Sequence, residues 1–308
     1  MIRARPHVII SLGITRRSFG RLKPSIYTLL HRKDLLALAV LILITVMVRI
    51  PGVFNRAIWY DEAITLLETA GNANPTWSAH PTPAATQKEL LVGSPTFAEV
   101  AAGLRETDVH PPVFYWMMSA WRQAAGESIE SARFFSVFWS TATVIVLFLL
   151  LRASDFSRPF WPCLVFSLSS GAVHYGHEAR NYALGMFFII FASFFAYLLI
   201  NFEFKSEIQN WIFALIISIL CGLAFQTNYL AIFPISAILA WCLVSSPKSL
   251  RLPVIVTIVF SIIISLVGYS TLIVQLGARP HQFQKTLGIL QELKKIINLN
   301  FEILWNPV

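Results

Sequence analysis

The sequence predicts an all-α membrane protein, a polytopic helical bundle of about seven transmembrane helices with interfacial helices in a large first outer loop. Hydrophobic residues fill 56% of the 308 positions and charged residues only 13%, with a mean hydropathy of +0.64, outside the range of soluble globular domains. Several apolar runs are long enough to cross a bilayer. The basic residues are also unevenly placed, with eight Lys or Arg and no acid within residues 1–33.

That basic stretch accounts for the whole net charge of +8. A basic tail ahead of a first span reads as cytoplasmic and as attracted to anionic lipid. It gives no ground for a nucleic-acid partner. The first apolar run follows a long basic segment and no small-residue cleavage pattern, so an anchored span is expected there, not a cleaved signal peptide. Cys163, Cys221 and Cys242 lie inside apolar runs without CxxC spacing. They suggest packing, and neither a disulfide framework nor a thiolate metal site.

Three regions follow: a basic cytoplasmic tail at 1–33, a transmembrane module at 34–275 with an outer loop at 51–131, and an outer C-terminal segment at 276–308. Within the module, spans are expected at 34–50, 132–151, 159–175, 181–201, 211–227, 229–246 and 253–275. A weaker apolar stretch at 112–124 decides the topology. If it crossed, the turn with Arg152 and Arg158 and the loop with Lys248 and Arg251 would lie outside. If it lies in the interface, both fall inside, and the outer loop keeps nine acids against four bases. The second arrangement obeys the positive-inside rule. The Asn-, Pro- and Ser-rich middle of the outer loop, 72–96, reads as a connector. Ile58 to Ala70 and Phe97 to Leu104 read as short helices along the membrane surface.

Two polar clusters stand out in the outer loop. The first is Trp59-Tyr60-Asp61-Glu62-Ala63. A carboxylate beside aromatic residues at the water–lipid boundary faces low dielectric on one side, which suits Asp61 to proton abstraction. The plainer reading makes Asp61 and Glu62 helix-start acids, with Trp59 and Tyr60 as interfacial anchors. The second cluster is Asp108-Val109-His110-Pro111-Pro112. Two prolines stiffen the chain and hold His110 out of a helix, which presents Asp108 and His110 from an elbow. Asp61, Asp108 and His110 also form a hard-ligand set for a divalent metal ion, although no ligand spacing requires one.

A third group, His174, Tyr175, His177, Glu178, Arg180, Asn181 and Tyr182, precedes a span and faces the same side. Arg180 presents forked donors suited to a phosphate; the alternative is a surface pair with Glu178 or snorkelling. Arg133, which opens the 132–151 span, carries the same two readings.

These residues carry a resemblance. The order Tyr60-Asp61-Glu62-Ala63, then Asp108-Val109-His110-Pro111-Pro112 running on to Tyr115, then Arg133 before a span, then Glu178-Ala179-Arg180-Asn181-Tyr182, resembles the GT-C superfamily of integral-membrane glycosyltransferases. Within it, the chain is similar to the group of protein mannosyltransferases, aminoarabinose transferases and rhizobial lipopolysaccharide glycosyltransferase-like enzymes. The resemblance covers roughly residues 34 to 275 and implies a GT-C-like module. It implies transfer of a sugar from a polyprenyl-phosphate donor to a lipid, glycan or protein acceptor on the outer face, with inversion. Asp61 and Glu62 would be the catalytic carboxylates, Asp61 as the base or the group that orients the acceptor and Glu62 as its neighbour in the motif. Arg180, His110 and Tyr182 would bind the carrier phosphate, supported by Asp108, Glu178, Tyr60 and Arg133. The aminoarabinose branch has Lys where this chain has His110, which leaves that residue's charge dependent on pH.

A bacterial plasma membrane is the expected location. Many members of the group are longer, so a fragment or one half of a split enzyme is also an expectation. Two rivals remain: a transporter or lipid-handling protein without transfer chemistry, and a non-catalytic partner of another glycosyltransferase. Sugar and acceptor identity do not follow from the sequence.

Overall fold

The computed structural model describes residues 14–16, 31–73, 75, 80, 83–108, 110–204 and 206–267. The outer segment expected at 276–308 lies outside these residues, as does most of the 1–33 tail. The described residues are helical almost throughout. A short strand, Ile14–Arg16, pairs antiparallel with Phe202–Phe204, a contact the sequence did not suggest.

The first span runs from α1 (Arg32–Met47) through a turn into α2 (Ile50–Asn55). The segment between the first two spans then forms α3 (Tyr60–Thr69), α4 (Ala84–Glu89), α5 (Phe97–Thr107) and α6 (Val113–Ala125). Beyond it lie α7 (Ile129–Ala153), α8 (Phe160–Leu168), α9 (Ser170–Tyr175), α10 (Tyr182–Asn201), α11 (Glu207–Phe225), α12 (Ile232–Ser245) and α13 (Arg251–Leu266). Among the described residues, five segments are long and apolar enough to cross a membrane: Arg32–Asn55, Ile129–Ala153, Tyr182–Asn201, Glu207–Phe225 and Lys248–Leu266. The expected span at 229–246 is a shorter apolar helix, Tyr229–Ser245. The protein is an all-α, multi-pass membrane protein. Its outward faces carry Ile212, Leu215, Ile219, Ile255, Val259 and Ile263, all exposed, as lipid-facing helices require.

The stretch at 112–124 is α6. Its 13 residues reach about 20 Å, short of a hydrocarbon core about 30 Å thick. It packs against α3, α5 and α7, and the buried Arg122 donates to Leu66 O (2.9 Å), Thr69 Oγ1 (2.6 Å), Leu91 O and Glu127 O (3.1 Å). A guanidinium at the C-terminal end of α3 complements the negative end of the helix dipole. α5 starts with a capping box in which Thr96 Oγ1 accepts from Glu99 N–H and Glu99 accepts from Thr96 N–H.

The span expected at 159–175 is interrupted. Ser169 is extended (φ −62°, ψ 137°) and separates α8 from α9 without a proline. The break leaves the Ser167 carbonyl without its helical partner, and Arg49, fully buried near the end of α1, takes it up together with carbonyls near the ends of α1 and α9. Its guanidinium donates to Thr45 O (2.9 Å), Ser167 O (3.3 Å) and Ala172 O (2.8 Å). A freed carbonyl that meets a buried donor explains why this break is tolerated at membrane depth. Gly176 lets the guanidinium lie against the backbone, since a Cβ there would collide with Arg49 Nε, Ala172 O and Ser140 Oγ.

The variant Gly176→Ala tests this arrangement. Overpacking against a backbone oxygen and a pinned guanidinium should cost about 1–3 kcal/mol, read as a lowered Tm in detergent at unchanged membrane insertion.

Candidate functional site

The N-terminal turn of α3 divides two adjacent acids. Successive helical residues point about 100° apart, so one faces the protein and the other faces out. Glu62 is 1% exposed. It accepts from Arg133 Nε (2.9 Å) and Nη2 (2.7 Å) in a bidentate pair, and from the Ala179 N–H (3.0 Å). Burial alone would raise its pKa, but the bonds from Arg133 and Ala179 hold it below the ordinary value. Arg133 in turn donates to Val53 O (3.0 Å), Arg56 O (2.9 Å) and Ala57 O (3.1 Å). One ion pair therefore joins the α2–α3 link, α3, α7 and the segment leading to Arg180.

Asp61 keeps about a third of its side chain exposed, at 32%, and lies 3.8 Å from Arg180 Nη2. Tyr60 beside it is 76% exposed. The Arg180 guanidinium is buried among acceptors from three segments. Its Nη1 donates to Asp61 O (3.2 Å), Thr65 Oγ1 (3.2 Å) and Tyr115 Oη (3.4 Å), and its Nη2 lies 3.0 Å from His110 Nε2. Burial works against this charge, yet Tyr115, Asp61, Asp108 and Tyr182 outweigh it and raise the Arg180 pKa. A guanidinium only donates, so His110 Nε2 is the acceptor and the imidazole is neutral. Burial lowers the His110 pKa; Asp108 and Asp61 pull it up and Arg180 pulls it down. Tyr115 donates to Asp108 Oδ2 (2.5 Å), which orders the elbow beneath the histidine. The Val113 N–H, donating to Gln226 O (3.2 Å), ties the elbow to the end of α11.

Glu178 belongs to a neighbouring cluster and does not pair with Arg180. It meets His174 Nε2 (2.8 Å) and Arg56 Nη1 (3.4 Å), and Arg56 also reaches His174 Nδ1 (3.0 Å) and His177 Nε2 (3.1 Å). Gly52 makes room for His177, whose ring a Cβ would strike. Burial raises the Glu178 pKa and lowers that of His177.

The structure thus brings Asp61, His110, Arg180 and, through Tyr115, Asp108 together. It sets Glu62 with Arg133, and Glu178 with Arg56. Tyr182 lines a cavity of about 520 Å³ beside the cluster, walled by α7–α10 and the start of α12 and bordered by Ser140, Tyr175, Gly176, Asn181 and Met186. Among the described residues no three His, Cys, Asp or Glu converge closely enough to hold a metal ion. The guanidinium of Arg180 lies among Asp61, His110 and the Tyr115–Asp108 pair, so this arrangement does not fit a metal.

Thr65, Tyr115, Arg56, Asn181 and Glu68 were not singled out for their roles by sequence reasoning. Tyr115 and Asn181 fall inside the motifs and were within reach. Arg56 and Glu68 are lone charges in a loop and a helix, with no local signal. Glu68 is buried against Thr107, whose hydroxyl also donates to Gly103 O (2.9 Å). Burial, opposed by Thr107 and aided by Asp108, pushes the Glu68 pKa from 4.5 up to about 7.

The fold and site define an integral membrane protein with a buried charged cluster at one end of its helices. The chain matches the family model of dolichyl-phosphate-mannose-protein mannosyltransferases over residues 109–273, more than half its length. It belongs to that family, a GT-C type, and is a membrane glycosyltransferase of mannosyltransferase type. The matched region holds His110, Arg133 and Arg180 and begins after Asp61. No curated protein and no solved structure matches the chain.

The protonation of Glu68 has a measurable consequence. An acid whose folded pKa is raised binds more protons folded than unfolded, so its stability contribution is lost as pH rises between about 4.5 and about 7. Thermal unfolding in detergent should show that loss in the wild type, and Glu68→Gln should flatten it.

Proposed function

We propose that the protein moves a sugar from a polyprenyl-phosphate-linked donor to an acceptor hydroxyl or amine at the outer face of a bacterial plasma membrane, with its N-terminus in the cytoplasm. The observation that carries this reading is the open Asp61 carboxylate 3.8 Å from the buried guanidinium of Arg180, beside a cavity of about 520 Å³.

Asp61 takes the proton from the acceptor as its oxygen or nitrogen attacks the anomeric carbon. The bond from that carbon to the carrier phosphate breaks, and the polyprenyl phosphate leaves with the bonding pair. A single displacement of this kind inverts the anomeric centre. Negative charge grows on the leaving phosphate, and Arg180 supplies a fixed positive charge at low dielectric. Most of its N–H groups are already engaged, which orients it. Its Nε–H has no partner among the described residues, and that is the donor offered to a phosphate oxygen. Neutral His110 positions Arg180 by accepting its hydrogen bond. Glu62 and Arg133 position the turn that presents Asp61. The apolar part of the cavity takes the carrier chain, with Tyr182 at its border. No step passes through a metal ion.

The interrupted helix α8–α9 favours one other reading, since broken helices beside a cavity also serve transporters. A lipid-handling protein would bind the donor without consuming it. The two part in one assay: transfer of labelled mannose from polyprenyl-phosphate mannose in membranes supplied with an acceptor extract. Asp61→Asn should lower transfer by roughly 10²–10⁴-fold, the range for a lost general base, with the donor still bound. Arg180→Ala should weaken both transfer and binding. Transfer unchanged in Asp61→Asn at equal expression would refute the mechanism.

A further inference from the structure

Where the cavity meets the charged cluster stands Asn181, which lines the cavity and is 1% exposed. Its amide is held by the nitrogen. Nδ2 donates to Thr227 O (3.0 Å); His110 Nδ1, 3.4 Å away, is the protonated nitrogen of a ring whose Nε2 accepts and takes no bond from it. Turning the amide over would set its oxygen against the Thr227 carbonyl, acceptor against acceptor, so the nearer Thr227 contact sets its orientation. Oδ1 is thereby left buried with no hydrogen-bond partner among the described residues. A buried acceptor left open in a native fold calls for an explanation. The side chain makes no capping bond at the start of α10, so the helix does not supply one.

The neighbouring residue carries the complementary open group. Arg180 Nε is a buried donor without a partner among the described residues. Two consecutive residues thus hold one unpaired N–H and one unpaired carbonyl oxygen, the second on a residue that lines the apolar cavity. The ligand that completes both has an anionic oxygen, a hydroxyl close to it and an apolar tail. A sugar phosphate on a lipid chain has all three, whereas a lipid phosphate without sugar leaves the amide oxygen open.

We infer that Asn181 is a specificity-determining residue, whose Oδ1 accepts a hydrogen bond from a hydroxyl of the carrier-linked sugar while Arg180 Nε donates to the adjoining phosphate. The inference rests on the donor reading proposed above. It assigns sugar selection to the amide and leaves the bond-breaking step as described.

The test uses the full chain in proteoliposomes with a short-chain polyprenyl-phosphate mannose and its monodeoxy analogues, and reads kcat/KM for each donor. A site that hydrogen-bonds a hydroxyl rejects the analogue lacking it. In the wild type, one analogue should therefore fall roughly 10- to 100-fold below the parent while the rest stay near it. In Asn181→Leu, that ratio should collapse towards one. Asn181→Ser, which restores an oxygen, should recover part of it and carries the test if the leucine variant does not fold. Ratios within one preparation do not depend on the fraction of active protein. A wild type indifferent to every deoxy analogue, or a leucine variant with the wild-type pattern, would overturn the inference and leave the donor reading standing. A wild type that transfers from none of the donors would overturn both.

Discussion

The bidentate pair between Glu62 and Arg133, at 2.7 Å and 2.9 Å with both side chains buried, is the contact on which the site depends. Taking two charges out of water costs several kcal/mol per ion, and their attraction offsets this only when the remaining lone pairs and protons are satisfied. Here they are. Glu62 also receives the Ala179 N–H, and Arg133 satisfies the carbonyls of Val53, Arg56 and Ala57. Those partners come from the end of the first span, the base of α3, the start of α7 and the residue before Arg180. The pair sets where Asp61 leaves the protein and where Arg180 enters it.

A second layer of buried cations repeats this logic. Arg49 joins the Ser167 carbonyl at the break between α8 and α9 to the Ala172 carbonyl at the end of α9, and Arg122 joins the end of α3 to the backbone of Leu91 and Glu127. Neither is aimed at solvent. Each closes a place where the backbone departs from regular helix, so that irregular chain can border a cavity inside an apolar bundle. Arg180 differs from them. Its partners include the side chains of Thr65, Tyr115 and His110, whereas Arg49 and Arg122 are held mostly by backbone carbonyls. A cation held by side-chain partners that can exchange is suited to a ligand, whereas one held by backbone is suited to structure.

Much of this was legible in the sequence. Spans of apolar residues with a period of one face per helix appear in composition, and the two polar clusters mark the outer loop because charges there are sparse. The motif residues Asp61, His110 and Arg180 converge as their order and shared side suggest. What could not be read was the division of labour between neighbours. Asp61 and Glu62 are alike in a linear motif, and only the facing of α3 makes one exposed and the other buried. Glu178 and Arg180 look like partners by spacing, but a tight turn, with Arg180 N–H donating to Glu178 O at 2.7 Å, sends them to different clusters. The break at Ser169 has no proline to announce it, and the guanidinium that meets the Ser167 carbonyl there comes from a residue 118 positions earlier. Asn181 reads as an ordinary helix-start residue until Thr227 fixes its amide.

The most direct measurement of this account is a double-mutant cycle on Glu62 and Arg133, with stability and Asp61-dependent transfer read on the same preparations. Glu62→Gln and Arg133→Met should each destabilise by about 3–5 kcal/mol, because each strands a buried partner, and each should abolish transfer by misplacing Asp61. The double variant should cost well below the sum of the two, with a coupling of more than about 1 kcal/mol. Additive losses, or single variants that keep wild-type transfer, would contradict the claim that this pair positions the site.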